Sequence, residues 1–176
     1  SSLVRLKHTA LDGIADLSDI VNQIRSISMI HERLHHSESV TEIDFTRYVN
    51  DLLSNVFSFY TAGEVHVENA SVDLALPTKT AVALGLIVNE LATNAVKHGF
   101  LPSVPPEFSV VATREAGRFV LTVSNNGNRF PEGVDLTEPS TLGLQLIVAM
   151  VRQLHGTVEL ARDPRTTFRI GIPLSV

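Results

Sequence analysis

The chain has no cysteine among its 176 residues. Disulfides, thiolate nucleophiles and thiolate metal ligands are therefore excluded. It has no apolar run of the roughly 18 residues that a membrane-spanning helix requires. It has no basic cluster either. Lys and Arg number 14 against 19 Asp and Glu, for a net charge of −5. That balance argues against a nucleic-acid face. No signal peptide, internal repeat or low-complexity tract is visible, and the expected compartment is the cytoplasm, with no membrane contact by this chain. What remains is 44% hydrophobic, typical of a globular protein. The length suffices for one domain with a full core and a small extension.

The most informative stretch is Thr78 to Phe100, TKTAVALGLIVNELATNAVKHGF. Pro77 and Thr78 suit a helix start, proline through its fixed φ and threonine as a cap. Gly99 suits the stop. Leu84, Val88, Leu91 and Ala95 recur at helical spacing and mark a core face. Glu90, Asn94 and Lys97 stand at i, i+4 and i+7, so they share another face, with His98 at its edge. Asn94 offers a neutral hard oxygen suited to Mg²⁺. Lys97 and His98 offer donors to phosphate oxygens. Glu90 can orient water or polarise an attacking group. By itself this pattern is equally that of a buried helix with a solvated polar rim.

Upstream, Ser1–His8 reads as the end of a helix that began earlier, so the chain is expected to be a fragment. Asp12-Gly13 is a turn signal. Leu17, Ile20, Val21, Ile24, Ile27, His31 and Leu34 form the apolar stripe of a helix over residues 16–36, with the width of a hairpin or dimer seam. His31, His35 and His36 near its end lack carboxylate or cysteine partners, and a metal site is not expected there. Asp44 is expected to cap a third helix running to Tyr60. Val65–Glu68 and Val72–Leu76 read as short strands. Downstream of the 78–100 helix, Phe108–Thr113 and Phe119–Val123 read as strands joined by a turn at Ala116-Gly117. Leu142–Leu154 reads as a helix ended by Gly156, with Val158–Leu160 and Thr167–Ile172 as closing strands. This order predicts helices on one side of a mixed or antiparallel sheet.

Three segments, Asn89-Glu90 through Asn94, Lys97 and His98, then Asn125-Asn126-Gly127, then Thr141-Leu142-Gly143-Leu144-Gln145, stand in a set order before Thr166-Thr167-Phe168. Together they resemble the ATP-binding domain of sensor histidine kinases, in the gyrase, Hsp90, histidine kinase and MutL superfamily. NELATNAVKHGF is similar to the N box of the HisKA_2-type group, and IHERLHHSE followed by an Asp-Phe helix is also similar to that group. The resemblance implies an α+β fold, a two-layer α/β sandwich of the histidine kinase ATPase (Bergerat) type, preceded by a partial helical hairpin. It implies two parts: residues 1–60 as dimerisation or phosphotransfer helices with a linker helix, and residues 61–176 as the ATP-binding domain. It implies ATP and Mg²⁺ as ligands, with Asn94 on the metal and Glu90 in a catalytic position. Lys97 and His98 would face the triphosphate. Asn125 would accept from the adenine amino group, with Gly127 allowing close backbone approach. Leu142, Gly143, Leu144 and Gln145 would meet phosphates at the start of a lid helix, and Thr166 would lie near adenine. The partners implied are a response-regulator receiver domain and a second copy of the chain through its N-terminal helices.

Three positions depart from the family. Asn125 replaces an aspartate. Arg129 and Arg165 stand where glycines are common. A side chain at a position needing positive φ costs roughly 1–2 kcal/mol, so these arginines put the site's geometry in question. The rival expectation is a degenerate docking module of the same fold that no longer binds ATP. An anti-sigma serine kinase is a third, opposed by the N-terminal helices. No phosphoacceptor histidine is assigned: His8 falls past the expected position, and His31 lies on the apolar stripe. The chain is expected to bind nucleotide without phosphorylating itself.

Overall fold

A computed structural model describes residues 41–71 and 74–174. The predicted helix over 16–36, its histidines and the helical hairpin lie outside the described residues. Residues 41–176 form one compact unit.

The unit opens with β1 (Glu42–Asp44), which runs directly into α1 (Phe45–Phe57). Asp44 caps that helix as its position predicts, its Oδ1 accepting from the Arg47 N–H at 3.0 Å. Phe45, Tyr48, Val49, Leu52 and Leu53 form the buried stripe of α1. β2 (His66–Asn69) and β3 (Ala75–Pro77) follow, and β3 pairs antiparallel with β1. β3 overlaps the strand read at Val72–Leu76, whereas β1 and its pairing were not foreseen, because a three-residue strand beside a helix cap carries too little alternation to read.

α2 (Thr78–Asn94) begins directly after Pro77, which occupies the cap position itself. Thr78 is thus the first helical residue, and its N–H donates to the main-chain carbonyl of Thr41, just before β1, at 3.2 Å. Nearly every residue from Ala81 to Ala92 is buried, on all sides of the helix. A helix apolar all round is one surrounded by other elements. α1 flanks it on one side and α3 (Leu142–Gln153) on the other. Gly85 makes the first contact possible, since a Cβ there would collide with the Tyr48 ring.

Beneath the helices lies a five-stranded sheet in the order β2-β4-β5-β7-β6, with β4 Glu107–Glu115, β5 Arg118–Asn125, β6 Thr157–Ala161 and β7 Thr166–Pro173. Only the β2–β4 pair is parallel. Phe108, Val110, Ala112, Phe119, Leu121, Val123, Phe168, Ile170 and Ile172 alternate along their strands and form the floor of the core. Phe45 of α1 meets Phe119 edge-on, with ring centroids 5.8 Å apart. The result is the expected two-layer α/β sandwich with a mixed sheet.

The turn between β4 and β5 falls at Ala116-Gly117, as the sequence predicts. Both residues have positive φ, 47° and 77°, the two-residue turn whose twist matches the strands. The end of α3 differs from the expected glycine stop. His155, not Gly156, takes the left-handed conformation, with φ 53°. His155 N–H bonds to Arg152 O at 3.0 Å and Gly156 N–H to Val151 O at 2.9 Å, the paired closure of a Schellman motif. Gly156 is required for space: a Cβ there would lie 2.8 Å from both Gly171 O and Ile172 Cγ2.

These assignments give an unequal pair of outcomes. His155→Gly is expected to raise stability by about 0.5–1 kcal/mol, by relieving the left-handed strain less the entropy of the new glycine. Gly156→Ala is expected to lower it by about 1–3 kcal/mol through overpacking on β7. Denaturant unfolding of both variants checks this. A loss in His155→Gly as large as that in Gly156→Ala would show the assignment to be wrong.

Candidate functional site

The polar residues of α2 lie at its C-terminal end, where the helix changes form. Residues Ala95–Gly99 make a π turn, closed by Phe100 N–H donating to Ala95 O at 2.8 Å. Such widened turns recur at functional sites, because they re-aim side chains out of the regular spiral. Here the expected common face becomes a gradient of depth. Glu90 is buried (7% exposed), Asn94 is half-buried, and Lys97 and His98 are exposed.

Two other segments close on this end of α2. The first is the end of β5. Asn125 lies against Gly99, where a Cβ would be 2.6 Å from its Nδ2. Gly127 has φ 101°, and a Cβ there would collide with Gly99 O and lie 3.2 Å from Phe100 Cα. Both requirements, positive φ and lack of space, point to glycine at 127. Asn128 ties the same two segments, its N–H donating to Gly99 O at 2.7 Å and its Nδ2 to His98 O at 3.0 Å. Asn126 faces the other way. Its Oδ1 accepts from Glu107 N–H at 2.9 Å, and its Nδ2 donates to Pro105 O at 2.8 Å.

The second segment is the start of α3. Thr141 caps it, with Oγ1 accepting from Leu144 N–H at 3.3 Å. The N–H groups of Leu142 and Gly143 belong to the first turn, where no carbonyl precedes them in the helix. Gly143 is pressed on Glu90, since a Cβ there would lie 2.6 Å from Oε2. Leu144 is buried in the core and Leu142 is 54% exposed. The Gln145 amide donates to Pro139 O at 3.2 Å. Thr166, at the start of β7, is buried and pairs across the ladder with Asn125. Its hydroxyl reaches Asn128 O at 3.5 Å.

The structure therefore brings together two clusters at the C-terminal end of α2: Glu90 with Gly143, and Gly99 with Asn125, Gly127 and Thr166. Lys97 and His98 stand at the exposed rim of that end. Sequence reasoning missed Asn126 and Asn128, which pin the loop, and the second use of Gly99 as a seat for Asn125. The run SNNGNRFP was the available signal, but nothing in it separates the structural asparagines from the site residue.

The two arginines carry no backbone strain. Among the described residues only Ala116 and His155 are non-glycines with positive φ. Arg129 pairs with Glu132 and Asp163. Arg165 pairs with Glu107 at 2.6 Å. Nearby, the Asp135 carboxyl is held below the usual carboxylate range, first by the Thr137 backbone N–H at 2.9 Å, then by the Thr137 hydroxyl. No group of three or more His, Asp or Glu side chains among the described residues forms a metal cage. No described helix is long and apolar enough to cross a membrane.

Residues 1–60 match the HisKA_2 histidine kinase family, and residues 79–176 match the histidine kinase-, DNA gyrase B-, and HSP90-like ATPase family. The chain is 22% identical to blue-light-activated histidine kinase 2 of Erythrobacter litoralis, covering 99% of this chain and 52% of that protein. It is 25% identical to the sensor histidine kinase PdtaS of Mycobacterium tuberculosis, over 93% of this chain and 33% of that protein. It thus spans about half the length of the first relative and a third of the second. The histidine kinase domain of the Erythrobacter litoralis blue-light-activated kinase has the same fold, with a TM-score of 0.76 at 21% identity over 88% of this chain and 74% of that one. The Acinetobacter baumannii histidine kinase AdeS follows with a TM-score of 0.67 at 17% identity, over 94% of this chain and 82% of that one. The two family matches, in this order along the chain, place it among the histidine kinases of the HisKA_2 type with a gyrase- and HSP90-like ATPase domain, and it belongs to that family.

Proposed function

We propose that this chain is the catalytic, ATP-binding portion of a two-component sensor histidine kinase. It would hold ATP with Mg²⁺ between the end of α2, the end of β5 and the start of α3. It would pass the γ-phosphoryl to a histidine, and from there to an aspartate of a response-regulator receiver domain. The observation that carries this reading is the glycine cradle. Gly99, Gly127 and Gly143 each meet a site residue or the opposing main chain where a Cβ would intrude. These glycines are filled against the chain's own atoms and so let the end of β5 and the start of α3 close on α2, which sets Asn125 and the first turn of α3, a helix start that favours anions, around the polar end of α2.

Each residue then has a role its chemistry permits. Asn94 is the Mg²⁺ ligand through its amide oxygen. Asn125 accepts from the adenine amino group, with Thr166 beside it. Lys97 and His98, exposed at the rim, donate to phosphate oxygens. The first-turn N–H groups of α3 at Leu142 and Gly143, and the backbone at Leu144 and Gln145, favour anions. Glu90, buried beside Gly143, polarises the attacking group. Bound Mg²⁺ supplies neutralisation of phosphate charge, and phosphoryl transfer depends mostly on that and on positioning. The functional division falls near residue 60, where the HisKA_2 match ends. α1 is then a linker that is already packed on the ATPase sheet. The apolar stripe at residues 16–36 supports a homodimer through the N-terminal part.

Titration with a non-hydrolysable ATP analogue tests the binding. Micromolar to sub-millimolar affinity is expected, weakened roughly 10- to 100-fold in Asn94→Ala, the worth of one bond to a charged partner. No binding at millimolar nucleotide would leave the degenerate module as the better account. Incubation with labelled ATP tests the chemistry. The chain alone is expected to gain no acid-labile phosphate; with an acceptor-bearing histidine kinase fragment supplied in trans, Glu90→Gln is expected to slow phosphohistidine and ADP formation by about 10²-fold or more at unchanged affinity. Acid-labile phosphate on this chain would instead make one of its own histidines the acceptor. Sedimentation tests assembly: a clean monomer at high protein concentration would remove the dimer.

A further inference from the structure

Past Asn128 the chain runs without helix or strand to Thr141, where α3 begins. Both ends of that stretch belong to the site. Its first part is fastened to the hairpin of β6 and β7 by several contacts of different kinds. Arg162 Nε and Nη2 donate to Pro131 O at 3.3 and 3.2 Å, and Nη2 donates to Val134 O at 2.7 Å. Arg129 Nη2 donates to Asp163 Oδ2 at 2.6 Å. The Phe130 ring meets Phe168 edge-on at 5.5 Å.

These contacts do not weigh equally. The Arg129, Glu132 and Asp163 side chains are 50%, 76% and 70% exposed. Ion pairs at that exposure are screened by water and salt and contribute little. Arg162 is half-buried, and its fork is directed at two main-chain carbonyls three residues apart. That geometry fixes backbone rather than a mobile carboxylate. The hydrogen bonds of Arg162 go to carbonyls, and the Asp135 carboxylate is its charged neighbour.

We propose that Arg162 is a positioning residue of the nucleotide site. By holding the carbonyls of Pro131 and Val134, it fixes the course of the segment that leads from Asn125–Asn128 to the start of α3. Backbone ordered in advance spares the ligand the entropy of ordering it. Arg162 touches neither nucleotide nor Mg²⁺ in this role. It lies in the connection between β6 and β7, outside the motif segments at Asn89–His98, Asn125–Gly127, Thr141–Gln145 and Thr166–Phe168. The inference rests on the nucleotide reading above.

The test compares the whole chain with Arg162→Ala and Arg162→Lys. Three readouts are taken: titration with the ATP analogue, amide exchange at residues 131–141 without nucleotide, and the thermal midpoint. Arg162→Ala is expected to bind roughly tenfold more weakly, about 1.4 kcal/mol, the net worth of one to two hydrogen bonds. Exchange at 131–141 is expected to quicken while the midpoint stays near that of the parent chain. Arg162→Lys is expected to recover part of the affinity, since an ammonium can reach one carbonyl but not span both. Unchanged affinity in Arg162→Ala, with the parent chain binding, overturns the proposal alone. So does an affinity loss that only tracks a falling midpoint. Absence of binding in the parent chain overturns the nucleotide reading and this proposal with it. Should Arg162→Ala fail to fold, affinity in Arg162→Lys equal to that of the parent chain overturns it.

Discussion

The approach of Gly99 to the end of β5 is the constraint on which the site depends. Helix and sheet layers usually keep a side chain's distance between them. Here the main chain of the π turn and that of residues 125–128 come into direct contact. Asn128 N–H donates to Gly99 O, and Gly127 leaves no room for a Cβ against the same carbonyl. A side chain at 99 or 127 would force the end of α2 and the end of β5 apart. The widened turn of α2 belongs to the same constraint. It brings Gly99 round to β5 and leaves Lys97 and His98 pointing to solvent, where a regular helix would have stacked Lys97 above Glu90.

The neighbouring residue extends the constraint toward α1. Phe100 packs on Tyr60 and Phe57, with ring centroids 5.4 and 6.1 Å away, and Phe57 meets Phe108 at 5.3 Å. Gly99 thus contacts the end of β5 and Phe100 contacts the end of α1, one peptide apart. Tyr60 is also the last residue of the HisKA_2 match. The two family segments meet physically at an aromatic cluster adjoining the site's floor.

The parts of the fold legible in the sequence were those governed by local chemistry. Asp44 as a cap, the alternation of Phe108 to Ala112 and the turn at Ala116-Gly117 are decided within a few residues of themselves. So is the order of the segments bearing Glu90, Asn125 and Gly143, which carried the family resemblance. The rest is decided by distant neighbours. Gly156 reads as a helix stop, yet Gly171 and Ile172 across the sheet account for it. Arg129 and Arg165 read as strained only if their φ is positive, and sequence does not give φ. The depth of Glu90 depends on α1 and α3 closing over both sides of α2, which no periodicity within α2 reports.

Asn125 shows how a departure from a family pattern can be consistent with its own surroundings. Its Nδ2 donates to Asn126 O at 2.8 Å. An aspartate in that pose would set a carboxylate oxygen against a carbonyl oxygen, with no proton between them. The amide resolves the conflict by committing its donor half to the loop, which leaves Oδ1 as the acceptor. What it gives up is charge: a neutral acceptor is weaker than a charged one by about 1 kcal/mol. What it gains is a fixed orientation in the loop that Asn126 and Asn128 also hold. In this chain the asparagine therefore keeps an acceptor oxygen, and its bond to Asn126 O is one that an aspartate could not make.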